Sequence, residues 1–279
     1  MPAQLGMRSI GLLLALAFAP AGASPATGEP PFSEWLRAQT ADQWERVVSH
    51  RFASELAAGS LANATLRSYL VQDHRFVNEF TMLLAAMLSL VPTLDDRVQG
   101  AQFLALVTSK ENTYFVRSLE ALGVSPESAS AVPDSPITTR FKALMRSTAR
   151  GGSLANMLAV LLVCEWSYET WGERAMAERA PGLAFWHGEG RLLNPPTPTP
   201  HYPYQWIDLH AGAYFNSVIA YLRGLLDREG AVLDEVARRE VVRVWAEAVG
   251  CEEDFFDAAY SSPYGGSVHD EGAEGKTEL

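Results

Sequence analysis

Between Leu158 and Gly172 the chain reads LAVLLVCEWSYETWG, an apolar run that turns abruptly into Cys164, Glu165, Trp166 and Tyr168. At about 100° per residue, an α-helix sets Cys164 and Glu165 roughly 40° and 60° to either side of Tyr168, so all three can face one pocket. A buried polar group without a partner costs roughly 1–3 kcal/mol, so a fold that embeds this helix has to partner its thiol, carboxyl and phenol. Taken alone, Cys164 reads as a packed thiol, because free cysteine is among the most buried residue types. Glu165 does not read that way, since a carboxylate inside an apolar run is rarely buried unless it is paired.

The chain around this run is patterned for helices. Thr40-Ala41-Asp42-Gln43 reads as a capping box that opens a helix carrying Trp44, Val47, Val48, Phe52 and Leu56 and stopping at Gly59. Thr65 caps a second helix, in which Leu66, Tyr69, Leu70, Phe76, Val77, Phe80, Leu83 and Leu84 recur at helical spacing up to Pro92. A third fills Leu94 to Leu122. After a looser Ser/Pro/Ala stretch, Pro136 at a first-turn position begins a short helix ending near Gly151, and Ser153 caps the apolar run. The prolines of Asn194 to Pro203 favour an extended connection. Helices resume over Tyr204 to Asp227, Ala231 to Val249 and Cys251 to Tyr260. There is no alternating strand run, internal repeat or sustained heptad. The expected fold class is all-α, an irregular single-domain bundle over residues 29–260.

Residues 1–28 contain no acidic side chain, place Arg8 before the apolar segment Ile10 to Ala19, and offer Ala21-Gly22-Ala23 as a cleavage site. That is the layout of a secretory signal peptide, which predicts a mature chain starting near Ser24 and exported from the cytoplasm. Residues 261–279 read as a disordered acidic tail. A net charge of −11 leaves no basic footprint for nucleic acid or an anionic membrane, so neither is expected as a partner. Cys164 and Cys251 are the only cysteines, and no Cys/His cluster suggests zinc. No metal or other cofactor is expected.

Four separated segments, with the entry pattern before them, resemble the TenA/thiaminase II proteins, over roughly Phe32 to Tyr260. Trp44, His50-Arg51-Phe52 and Gly59-Ser60-Leu61 are similar to that family's W…H-x-F…G-[ST]-L. Tyr69-Leu70-Val71-Gln72-Asp73 matches its Y-L-x-Q-D, and Cys164 with Tyr168 its C-x-W-x-Y. Trp206-Ile207 followed by Phe215 matches W-I…F, and Glu252 precedes Phe255-Phe256-Asp257-Ala258-Ala259-Tyr260. The resemblance implies a haem-oxygenase-like helical fold, a small-molecule substrate that is an aminopyrimidine derived from thiamin, and a homotetramer that in the family is usually cytoplasmic. It implies that Asp73 grips the pyrimidine, Cys164 is the nucleophile, Tyr168 orients it and Glu252 exchanges protons, with Tyr69 on the substrate's side. The implied activity is hydrolysis to hydroxymethyl-pyrimidine from an aminomethyl-pyrimidine or its N-formyl derivative.

Two departures qualify this. Phe76 and His210 stand where thiaminase II members carry tyrosines, and Glu165 with Tyr168 resembles the E-x-x-Y of a branch, TenA_E, in which glutamate replaces the cysteine. The expectation is therefore that Glu165 and Glu252 share the proton work, with Cys164 a packed neighbour; a cysteine-dependent thiaminase II is the alternative. Two converging acids push their pKa values apart, leaving one to donate and the other to accept. Plainer readings stay open from the residues alone: a surface salt bridge between Asp73 and Arg75, a solvated acidic run for Glu252-Glu253-Asp254, a satisfied core histidine for His210, and core packing for Tyr69, Trp166 and Phe215. Two other functions compete. One is a binding protein that holds a small ring without transforming it. The other is an iron oxygenase, for which the scattered His50, His74, His187, His201, His210 and His269 give no helical ligand spacing.

Overall fold

A computed structural model describes Gly28 and residues 30–178 and 202–261. The first helix, α1 (Phe32–Gln39), is followed by α2 (Ala41–Val48), α3 (Arg51–Ala58) and the long α4 (Asn63–Leu90). Next come α5 (Leu94–Leu106), a π-helical turn (Val107–Glu111), α6 (Asn112–Ala121), α7 (Pro126–Ala131) and α8 (Pro136–Gly151). The set ends with α9 (Leu154–Glu178), α10 (Tyr202–Leu209), α11 (Ala213–Gly230) and α12 (Glu235–Tyr260). Among the described residues every regular element is helical. The leader, the proline-rich connection before Tyr202 and the acidic tail fall outside them.

The apolar run becomes the axis of the bundle. Leu158 to Val163 are fully buried in α9, which touches α2, α3, α4, α8, α10, α11 and α12. Each Leu and Val side chain so buried contributes about 1.5–3 kcal/mol, enough to hold a helix whose later turns carry polar groups. Gly172 on α9 is packed so tightly that a Cβ there would stand 2.5 Å from the carbonyl oxygen of His210. The glycine thereby lets the chain after α10 lie directly on α9.

Several boundaries differ from the sequence reading. The helix expected from Thr40 to Gly59 is broken in two, because His50 adopts extended backbone and its ring Nδ1 accepts from the Phe52 N–H at 3.1 Å. Thr40 makes no capping bond; its hydroxyl accepts from the Trp245 indole N–H at 3.0 Å instead. Thr65 lies inside α4, which starts at Asn63. The looser stretch contains α7, capped by Ser125 with Pro126 in its first turn. Gly212, at φ +86°, separates α10 from α11 where one helix was expected. Conversely α12 runs straight through Gly250, because Val249 and Cys251 on either side are fully buried. Pro136 does stand in the first turn of α8 and Ser153 does cap α9, where the Asn156 N–H donates to its hydroxyl at 3.3 Å; the cap of α8 is Ser135, whose hydroxyl accepts from the Thr138 N–H at 3.1 Å.

Candidate active site

Five helices and the π turn converge on one pocket. On α4, Asp73, Phe76, Val77 and Phe80 recur at helical spacing and form one wall. The apolar run on α9 contributes Cys164, Glu165 and Tyr168, so the thiol and the carboxyl do flank the phenol. Glu252 and Phe255 reach in from α12, Phe141 from α8, Trp206 and His210 from α10 and the turn after it, and Glu111 from the π turn. Tyr69 is the one named candidate that is not on the wall. It stands one turn behind Asp73, fully buried, with its phenol 2.6 Å from that of Tyr168.

The plainer readings of the acids do not hold. Asp73 is 6% exposed and faces Tyr69, while Arg75 turns away to Asp134 at 3.0 Å. Of the acidic run, Glu253 and Asp254 do behave as a solvated face, bound by Arg46 and Arg140 at 2.6 Å each. Glu252 points the other way and is 2% exposed, because successive helical residues diverge by about 100°. Its carboxyl is hydrogen-bonded by the Cys164 thiol. His210 is buried, and its Nδ1 lies 2.8 Å from the Trp206 carbonyl. A carbonyl only accepts, so Nδ1 carries the proton and Nε2 is left as an acceptor.

Burial governs the protonation of the whole group. Desolvation raises Asp73 to about 7 against the opposing Tyr69 hydrogen bond, and raises Glu252 to about 8 against the opposing Cys164 bond. Glu165 is pushed well above the usual carboxylate range by burial and then by Glu111, Glu252 and Asp73. Glu111 rises to about 8, through burial and the charge of Asp73. The Cys164 thiol is also pushed well up, by burial first and then by Glu252 and Glu165. Burial lowers His210 to about 4, which leaves it neutral. The cavity therefore holds several carboxyl groups able to gain or lose a proton near neutral pH, beside a thiol that stays protonated.

The sequence reading passed over Glu111 and Phe141. Phe141 packs its ring 4.9 Å from Phe76 and helps make an aromatic wall in which Trp206 meets His210 edge-on at 4.2 Å. The signal for Glu111 was its place on the buried stripe of the 94–122 segment, four residues after Val107 and four before Phe115. Among the described residues no group of three or more His, Cys, Asp or Glu side chains is arranged to hold a metal ion. The iron-oxygenase alternative finds no ligand set there.

Comparison with known proteins agrees with this architecture. An aminopyrimidine aminohydrolase of Halalkalibacterium halodurans is 23% identical over 218 residues, covering 78% of this chain and 90% of that protein. The crystal structure of a TenA homologue from Pyrococcus furiosus superposes with a TM-score of 0.68 at 20% identity, over 82% of this chain and all of the other. A domain of unknown function from Shewanella denitrificans, described as having a haem-oxygenase-like fold, superposes with a TM-score of 0.55 at 14% identity, over 82% and 92% of the two chains. The fold is thus the haem-oxygenase-like bundle. The model of the TENA/THI-4/PQQC family matches residues 37–262, nearly the whole helical body that builds the cavity, and the chain belongs to that family.

Proposed function

We propose that the cavity hydrolyses an aminopyrimidine, releasing hydroxymethyl-pyrimidine and ammonia from an aminomethyl-pyrimidine, by the glutamate-type route. The observation that carries this is the convergence of Asp73, Glu165 and Glu252, each with its pKa raised, on a small aromatic-walled space. The similarity to an aminopyrimidine aminohydrolase supports the same substrate class.

The chemistry replaces one bond at the methylene. A water oxygen bonds to the methylene carbon, the carbon–nitrogen bond breaks, and the proton lost by water is matched by one gained by the departing nitrogen. Glu165 makes no hydrogen bond to a described residue, and in its ionised form its carboxylate takes a proton from that water. Glu252, at about 8, is mostly protonated at neutral pH and delivers its proton to the leaving nitrogen. Asp73 pairs with the pyrimidine edge, and Tyr69 fixes Tyr168 through their 2.6 Å contact. Phe76 and His210 replace two phenols, leaving an apolar wall and the bare Nε2 acceptor. In this reading Cys164 is a neutral donor to Glu252, because only the thiolate is nucleophilic and the thiol is held protonated.

A second reading has one specific observation in its favour. The bond between Cys164 and Glu252 is also what a base would make before removing the thiol proton, which is the cysteine-dependent route. Product analysis after incubation with an aminomethyl-pyrimidine, its N-formyl derivative and thiamin tests the activity itself. Hydroxymethyl-pyrimidine is expected from the first two; turnover of none would replace hydrolysis by simple binding.

Export belongs to the same proposal, as does the homotetramer that the resemblance implies. No described helix is long and apolar enough to cross a membrane. N-terminal sequencing of the purified protein is expected to read from near Ser24, and a retained Met1 contradicts the leader.

A further inference from the structure

The π turn at Val107–Glu111 is the one interruption of the helical path from Leu94 to Ala121, and it ends on Glu111. Single π turns inside α-helices concentrate at functional sites, because they rotate one side chain relative to the rest of the helix. Here the rotated region carries a carboxylate onto the wall of the cavity that Glu165 also lines. Glu111 and Glu165 are each only half-buried, so both keep surface that water or a ligand can reach. Neither carboxyl has a hydrogen-bond or ion-pair partner among the described residues, and each is felt electrostatically: Glu111 acts on Glu165, and Asp73 acts on both. Among the described residues no lysine or arginine lines the cavity, and the proton-work assignment above uses Glu165 but leaves Glu111 idle.

We propose that Glu111 is a specificity-determining residue that, beside Glu165, selects a substrate whose amine nitrogen carries positive charge in the cavity over one bearing a neutral or anionic group at the same position. This rests on the aminopyrimidine reading and deepens it. Two carboxyls on one cavity wall without a cation beside them repel when ionised, so the empty pair keeps at least one proton. The amine nitrogen becomes that positive charge when it takes the proton that Glu252 delivers, and the ionised Glu111 holds it by a charge-assisted hydrogen bond while Glu165 stays free for the water. A hydroxyl or an N-formyl amide at the same place gains no such charge, and a phosphate is repelled. The other titratable groups facing the pair are Asp73, Cys164, Tyr168, His210 and Glu252; none is cationic at neutral pH, so none can stand in for the ligand's charge.

The test compares an amine with its hydroxyl counterpart in steady-state kinetics at pH 7. For Glu111→Gln, KM for the aminomethyl-pyrimidine is expected to rise about tenfold or more, the loss of one hydrogen bond to a charged group, while the inhibition constant of hydroxymethyl-pyrimidine stays within about twofold. The fall in kcat should be much smaller than the rise in KM. Glu111→Asp, which keeps the charge, should recover most of the lost affinity, and circular dichroism of each variant confirms the fold. Equal weakening of the amine and the hydroxyl compound, or an unchanged KM, overturns the assignment and leaves the aminopyrimidine reading intact. A wild-type protein that neither turns over the amine nor is inhibited by the hydroxyl compound overturns that reading, and this assignment with it.

Discussion

Thermal stability is expected to fall by on the order of 5–10 °C as pH rises from 6.5 to 8.5, and the fall is expected to shrink more in Glu252→Gln than in Asp73→Asn. Asp73 and Glu252 have folded-state pKa values raised from 3.8 and 4.5 to about 7 and 8, chiefly by burial. A group raised in this way contributes its stability in full below the unfolded value and loses it as pH climbs through the folded value. The unfolded chain then gains from ionising its carboxyls while the folded chain has to ionise them inside the cavity. One pKa unit corresponds to about 1.4 kcal/mol, so these two groups alone account for several kcal/mol. Glu111 and Glu165 add less per group, because their surface reaches solvent. His210 acts in the opposite sense, since its pKa is lowered from 6.5 to about 4, so its contribution grows with pH up to about 6.5 and is then complete. Surface acids with lowered pKa, such as Asp96 and Asp134, change only at acid pH. Above pH 6.5 the cavity acids therefore set the slope. The Gln and Asn variants keep a hydrogen-bonding group without a titrating one, so each melting curve should fall less steeply over this range than that of wild type. Scanning calorimetry of wild type and variants at several pH values reads this, and a wild-type melting temperature that rises between pH 6.5 and 8.5 would count against buried neutral carboxyls.

Where apolar periodicity was long and unbroken, the helices could be read directly. Leu66 to Leu84 and Leu158 to Val163 carry enough buried surface to fix their helices whatever the ends do. The errors fall at junctions, where one tertiary contact outweighs a local preference. Thr40 has the chemistry of a cap, but the Trp245 indole from α12 takes its hydroxyl. His50 ends one helix and starts the next because its ring also reaches Asp257 on α12 at 3.1 Å, a partner about two hundred positions away. Gly250 looked like a helix end and is carried through by its buried neighbours. The acids show the same division. Glu165 was conspicuous because everything before it is apolar. Glu252 and Glu111 were camouflaged by charged neighbours, and only their helical phase gives them away: Glu252 lies on one stripe with Ala248, Val249, Phe255 and Phe256. A charge run says what most of its members do, and the exception is found by the face it occupies.

The largest kinetic effect is expected from Glu165→Gln, which should lower kcat for aminopyrimidine hydrolysis about a hundredfold or more, the usual contribution of a positioned general base. Gln keeps the size and polarity of the side chain, so the helix should survive the exchange. Cys164→Ala removes a thiol whose pKa burial has already pushed out of the useful range, together with one hydrogen bond to Glu252. Its expected cost is modest, at most about tenfold through the lost bond. The most direct measurement compares the initial rate of hydroxymethyl-pyrimidine formation by wild type, Glu165→Gln and Cys164→Ala at equal folded concentration. The carboxyl account predicts a crippled Glu165→Gln beside an active Cys164→Ala; a fully active Glu165→Gln beside a dead, well-folded Cys164→Ala contradicts it and makes the thiol the nucleophile.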